Sequence, residues 1–197
     1  MTQPHRVLIA PGLDGRVWGI RLVTWNWPTK HGLLPEAIPI TWKDNVPLAP
    51  KLQTIVDRID YYSSKGNQVS LIGSSAGGSL MLNAFVERKS IVYKVVNLSG
   101  FMRQGRRKGI RSFSRRSAAS SAFKESVLRF EKAEPSLTQT DRKKILTVRP
   151  QFGDELVPPE TVVINGALNT TIPFGEHILS IAAAFILYRP VITFLVE

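Results

Sequence analysis

Short apolar runs alternate with helix-patterned segments along this chain, and few folds accept that alternation. Val7–Ala10 is apolar and stops at Pro11-Gly12, a turn signal. Ala37–Trp42, bounded by prolines, reads as a second strand. Leu52, Ile55, Val56, Ile59 and Tyr62 fall at helical spacing, so Lys51–Ser63 reads as an amphipathic helix. Gln68–Ile72 is a buried strand and Ala76–Lys89 the helix after it. Tyr93–Leu98, Ile145–Val148 and Thr161–Ile164 are strand-like again, and Glu176–Tyr188 closes as a helix. Six apolar strands separated by helix-length segments predict an α/β fold, a mainly parallel sheet of about six strands with helices on both faces. The 197 residues suffice for one core, so residues 1–197 are expected to form a single domain. In such sheets ligands bind outside the carboxyl ends of the strands.

Composition removes several chemistries. The chain has no cysteine, which excludes disulfides, a thiolate nucleophile and Cys-ligated zinc. Its formal charge of +11 predicts attraction to anions. Much of that charge lies between residues 101 and 144, too long a stretch for a plain crossover. It is expected to form a basic, lid-like insertion over the strand ends, with Arg103, Arg106, Arg107 and Lys108 as substrate-steering cations; a solvated loop is the plainer reading. No recognised nucleic-acid motif accompanies the charge. The run after Arg6 is too short for a signal-peptide core, so a cytoplasmic protein is expected. Ile178 to Val196 is mostly apolar but is cut by Arg189-Pro190. It reads as a buried C-terminal helix, with peripheral membrane contact as the second reading. Trp18, Trp25, Trp27 and Trp42 could line a pocket, with core packing the default for tryptophan.

The strand Gln68–Ile72 runs into Gly73-Ser74-Ser75-Ala76-Gly77, a G-x-S-x-G pattern at a strand–helix junction. A sharp turn there lifts one hydroxyl above the sheet, and the turn tolerates little bulk at Gly73 and Gly77. Ser75 is therefore the candidate nucleophile, and Ser74 a turn residue. A serine hydroxyl needs a base. His5 precedes the first strand, at the wrong end of the sheet, and His31 sits in a loop of unassigned position. His177 follows the last strand and is the candidate base. The base needs a carboxylate to fix its tautomer. Asp154 follows a glycine just past the strand Ile145–Val148, with Glu155 as the fallback. The strand before the basic segment ends in Asn97-Leu98-Ser99-Gly100, with no carboxylate.

With these residues in hand, the chain resembles the small serine hydrolases of the α/β-hydrolase superfamily over nearly its whole length. Val7–Gly12 resembles the family's first strand and glycine turn, Gly73–Gly77 its nucleophile elbow, Gly153–Pro158 its acid loop and Gly175–His177 its histidine loop. The order Ser, Asp, His is also the family's. The resemblance implies a minimal α/β-hydrolase whose oxyanion hole is the backbone N–H of Leu13 and Ala76. Two departures stand out. Pro11-Gly12 replaces the frequent His-Gly, and Ala167–Thr171 makes the link before His177 long and polar. The activity implied is cleavage of an ester or thioester, on a small-molecule or lipid substrate of anionic or neutral character, without metal or organic cofactor. A non-catalytic binding protein on the same scaffold is the alternative.

Overall fold

The computed structural model describes residues 3–106, 109, 112–187 and 189–197. Six strands form one sheet: β1 His5–Ala10, β2 Leu33–Ala37, β3 Gln68–Ser74, β4 Val92–Leu98, β5 Ile145–Pro150 and β6 Leu168–Ile172. Their order is β2-β1-β3-β4-β5-β6 and every pairing is parallel. All carboxyl ends therefore open on one edge. The inner strands are mostly buried and mostly apolar because both faces of the sheet are covered.

Two helical layers do the covering. On one face lie α3 (Leu48–Ser64), α4 (Ala76–Glu87) and α6 (Ser121–Ala133), packed on Leu8, Leu71 and Val95. On the other lie α1 (Trp18–Val23), α2 (Trp27–His31), α8 (His177–Ile186) and α9 (Arg189–Val196), packed on Val7, Ile9, Ile72 and Val96. The stretch expected as a lid is mostly something else. Its longest helix, α6, lies against α4 as the crossover helix, with Phe123, Val127 and Phe130 buried. A polar seam fixes that contact, in which Asn83 donates to the Ser126 carbonyl at 2.8 Å and Ser126 donates to Ser79 Oγ at 2.9 Å. Two shorter helices, α5 (Phe113–Ser117) and α7 (Gln139–Lys143), flank it.

Both edge strands lie elsewhere than predicted. The second strand is Leu33–Ala37, not Ala37–Trp42. As an edge strand it pairs only with β1, so Pro35, which lacks an N–H, is tolerated there. Ile38, Ile40 and Trp42 do alternate inward, but beyond the Ile38 N–H, which donates to the Ile9 carbonyl of β1 at 2.9 Å, they run on as an extended tail into the core. The last strand is Leu168–Ile172, not Thr161–Ile164. Residues Pro159–Thr161 form a 3₁₀ turn, and Thr161, Val162 and Ile164 are buried as loop. The polar link noted before His177 is thus the last strand itself. The segment Ile178 to Val196 is two helices rather than one, each with a single buried face. Among the described residues no single helix is long and apolar enough to cross a membrane.

Candidate active site

Ser75 follows β3 directly, with φ 51° and ψ −119°. A positive φ is unusual outside glycine, and strain of this kind recurs where function requires it. The turn closes by backbone bonds, with Ser75 N–H donating to the Leu98 carbonyl at 2.8 Å and Gly78 N–H to the Ser75 carbonyl at 3.0 Å. The flanking glycines are sterically required. A Cβ on Gly73 would strike the carbonyl of Gly77, and one on Gly77 would strike that of Ala10. Ser74 is buried and donates to the Ala10 carbonyl at 3.2 Å, which ties the turn to β1. Gly12 lies so close that a Cβ there would sit 3.2 Å from Ser75 Cβ. The loop bearing Leu13 therefore runs directly past the serine. Ala76 opens α4, so its N–H belongs to the unpaired first turn of a helix.

At the same sheet edge, Asp154 follows β5 and His177 follows β6. Asp154 Oδ2 accepts from His177 Nδ1 at 2.8 Å, and the two residues are only 8% and 3% exposed. The other carboxylate oxygen accepts from Leu156 N–H and Val157 N–H, both at 2.8 Å. Three donors thus fix the carboxylate's orientation: two backbone N–H groups of its own loop and the ring. With Nδ1 donating, the lone pair falls on Nε2, which is buried and has no hydrogen-bond partner. Glu155, the fallback acid, does not touch the ring. Its carboxylate accepts from the His177 backbone N–H at 3.3 and 3.4 Å, pinning the histidine loop to the acid loop. His5 lies at the opposite end of β1, hydrogen-bonded to Ser70 at 2.8 Å, and His31 ends α2.

The cations expected to steer substrate divide. Arg103 is a structural anchor, paired with Glu134 and donating to the carbonyls of Glu160 and Val163. A guanidinium committed to three partners within the chain is not free to attract a substrate. Arg106 is exposed, whereas Arg107 and Lys108 lie outside the described residues. Sequence reasoning placed Arg116 only among the cations of the basic segment and missed its role, which is to reach the acid loop and donate to the Glu155 carbonyl at 3.2 Å. It also missed Asn97, noted only as a position without a carboxylate. Asn97 is buried, donates to the Gly100 carbonyl at 3.0 Å, and wedges between Gly78 and Gly100 behind the serine turn. A buried asparagine ending an apolar strand was the available signal. Trp42 braces the loop after β1 by donating to the Pro11 carbonyl at 3.3 Å, and its ring packs edge-on to Phe123. Among the described residues no group of three or more His, Asp or Glu side chains could hold a metal ion.

Solved structures share this fold. A lipase-esterase related protein from Clostridium acetobutylicum ATCC 824 matches with TM-score 0.66 over 98% of this chain and 93% of that chain, at 11% identity. A monoacylglycerol lipase from Paleococcus ferrophilus matches with TM-score 0.66 over 100% and 96%, at 12% identity. Est1E from Butyrivibrio proteoclasticus, bound to ferulic acid, matches with TM-score 0.64 over 99% and 91%, at 15% identity. The chain has the α/β-hydrolase fold. No family model and no curated protein matches its sequence. What an α/β-hydrolase fold contributes here is placement: it sets Ser75, Asp154 and His177 after β3, β5 and β6 on one edge.

Proposed function

We propose that the protein is a serine hydrolase that cleaves an ester or thioester through an acyl-enzyme on Ser75. The observation that carries this reading is the buried Asp154–His177 pair, whose Nε2 has no partner, on the edge that also bears the strained Ser75 turn. His177 Nε2 accepts the Ser75 proton as Oγ attacks the carbonyl carbon. Asp154 holds the ring in that tautomer and stabilises the imidazolium. The Leu13 and Ala76 N–H groups stabilise the oxyanion of the tetrahedral intermediate. His177 then protonates the leaving alcohol or thiol, and water repeats the sequence in reverse to release the acid. Catalytic hydrogen bonds are often long before substrate binds, so the unpaired Nε2 fits this role. The lipase and esterase names of the structural neighbours support an ester substrate.

The test is covalent. A fluorophosphonate probe should label the protein, peptide mass spectrometry should place the adduct on Ser75, and Ser75→Ala should abolish both labelling and p-nitrophenyl ester turnover. A folded protein that takes no label and turns over no ester would instead be a binding protein on this scaffold.

A further inference from the structure

Among the described residues three non-glycine positions hold a positive φ, and two of them end adjacent strands at the active-site edge. Ser75 turns out of β3 and Ser99 out of β4, each with φ 51°. The Ser75 N–H donates to the Leu98 carbonyl at 2.8 Å, so the turn after β4 carries the acceptor that holds the nucleophile's own amide. Strained backbone persists only where its surroundings over-determine it. At Ser99 two bonds do so. Its N–H donates to the Val148 carbonyl at 2.9 Å, and Asn97 Nδ2 donates to the Gly100 carbonyl at 3.0 Å, closing the turn across it.

The same carboxamide touches the helix that follows Ser75. A Cβ on Gly78 would sit 1.9 Å from Asn97 Oδ1, and one on Gly100 would sit 2.4 Å from both that oxygen and the Ser75 carbonyl oxygen. The first turn of α4 is thus seated against the turn after β4, with the Asn97 carboxamide between them. Asn97 is 0% exposed, and its Oδ1 has no hydrogen-bond partner. Flipping the amide gives no relief, because Oδ1 would then face the Gly100 carbonyl. A buried unpaired acceptor is a cost that needs an offsetting role. Packing alone does not supply one, since an apolar side chain would occupy the space without the orphan oxygen. What asparagine adds is the N–H donor that staples the turn.

We propose that Asn97 is a positioning residue for Ser75: its carboxamide staples the turn after β4 and so sets the backbone that carries the nucleophile and the Ala76 N–H. The inference rests on the hydrolase reading, and it names a residue outside the Ser75, His177 and Asp154 set on which that reading depends.

The test compares wild type with Asn97→Ala, Asn97→Asp and a control, Asn83→Ala, which removes the bonds of a second buried asparagine to the Ser79 and Ser126 carbonyls. All are measured where circular dichroism shows them folded, and Asn97→Asp keeps the shape should Asn97→Ala not fold. Asn97→Ala should lower both the rate of fluorophosphonate labelling and kcat for a p-nitrophenyl ester by about 10- to 100-fold, with KM little changed, as misplacing a reacting atom does. Asn83→Ala should melt lower yet label and turn over as wild type does. Hydrogen exchange reads the staple without catalysis: in Asn97→Ala the Ser75 amide should lose protection while the amides of β1 keep theirs.

Asn97→Asp adds a signature that a packing role does not produce. A protonated carboxyl can donate to the Gly100 carbonyl, an ionised one cannot, and burial raises the pKa of the new group. The residues beside it, Gly73 on β3, Thr147 on β5, Gly78 on α4 and Gly100, bear no ionisable group. Its labelling rate divided by that of wild type should therefore be near one at low pH and fall as pH rises. For Asn97→Ala the same ratio should be flat. Wild type labelled on Ser75 with the Asn97 variants unaffected, or a flat ratio for Asn97→Asp, overturns the proposal and leaves the hydrolase reading standing. Wild type that takes no label overturns the hydrolase reading and the catalytic part of the proposal together, and unchanged exchange at Ser75 in Asn97→Ala overturns the staple itself.

Discussion

Asp154 spends one oxygen on two backbone N–H groups and the other on His177, and this division makes its variants informative. In Asp154→Asn the amide oxygen can keep Leu156 and Val157, so the amide NH₂ faces Nδ1. The ring must then accept at Nδ1 and carry its proton on Nε2, the wrong nitrogen for a base. Turnover should fall on the order of 10³–10⁴-fold with little change in thermal stability. Asp154→Ala should lose as much rate and also melt lower, because two buried N–H groups lose their acceptor at about 1–3 kcal/mol each. Glu155→Gln keeps an acceptor for the His177 N–H and should cost far less; a crippled Glu155→Gln beside a normal Asp154→Asn would move the acid by one residue. Ser75 carries a second prediction. Its φ of 51° costs a non-glycine residue about 1–3 kcal/mol, more than glycine loses in chain entropy. Ser75→Gly should therefore melt above Ser75→Ala in calorimetry while both lack activity, and a lower melting point would mean that the turn stores no strain. Ser75, Asp154 and His177 were legible because G-x-S-x-G, a glycine–acid pair and a histidine each follow an apolar run. Asn97 and Arg116 were not, because their roles arise from contacts with residues far along the chain or from a wedge between glycines.

The elements were legible where burial is two-sided. β1, β3, β4 and β5 are covered on both faces, so their apolar runs mark them to within a few residues. The edge strands were displaced because an edge needs neither full burial nor every N–H. Pro35 sits inside β2, and β6 is the largely polar Leu-Asn-Thr-Thr-Ile. Residues 161–164 misled in the opposite sense, being apolar because they plug the core as loop. The alternation Ile38, Ile40, Trp42 was a true inward–outward period that leaves its partner strand β1 after the Ile38 N–H. At the amino edge of β1, burial pushes the His5 imidazole down to about 4 from an ordinary 6.5. Between those values the unfolded chain binds a proton that the folded chain excludes, so stability should rise with pH through that window and be lost on acidification. Asp44 and Asp60 are held below the ordinary carboxylate range by Lys51 and Arg88 respectively, so their stabilisation fades only at lower pH. His5→Gln, which keeps a hydrogen-bonding group for Ser70, should flatten the melting temperature between pH 6.5 and 4. An unchanged slope would place the acid sensitivity elsewhere.

Across the whole molecule the charge of +11 is unevenly free to act. Arg103 is neutralised by Glu134, and Arg116 is tied to the acid loop. Arg106 and Arg115 are exposed beyond β4, in the segment that leaves the active-site edge of the sheet. Carboxylates also stand near that edge, Glu155 accepting from the His177 N–H and Glu176 from the first turn of α8, and both keep their negative charge. The exposed cations of this segment should raise the encounter rate of an anionic ester and leave the chemical step alone. Its field is screened over about 8 Å at physiological ionic strength. Raising salt should therefore lower kcat/KM for an anionic ester more than for a neutral ester of equal chain length, with kcat unchanged for both. Replacing Arg106, Arg107 and Lys108 together with Gln should flatten the anionic ester's salt response and spare the neutral one. Under the proposed mechanism the variant acts through kcat/KM, because the bond-breaking steps are assigned to Ser75, Asp154 and His177 and not to these cations. Equal salt responses for the two esters would make the segment a solvated loop, and would leave the fixed N–H donors beside Ser75 to account for any preference for charge.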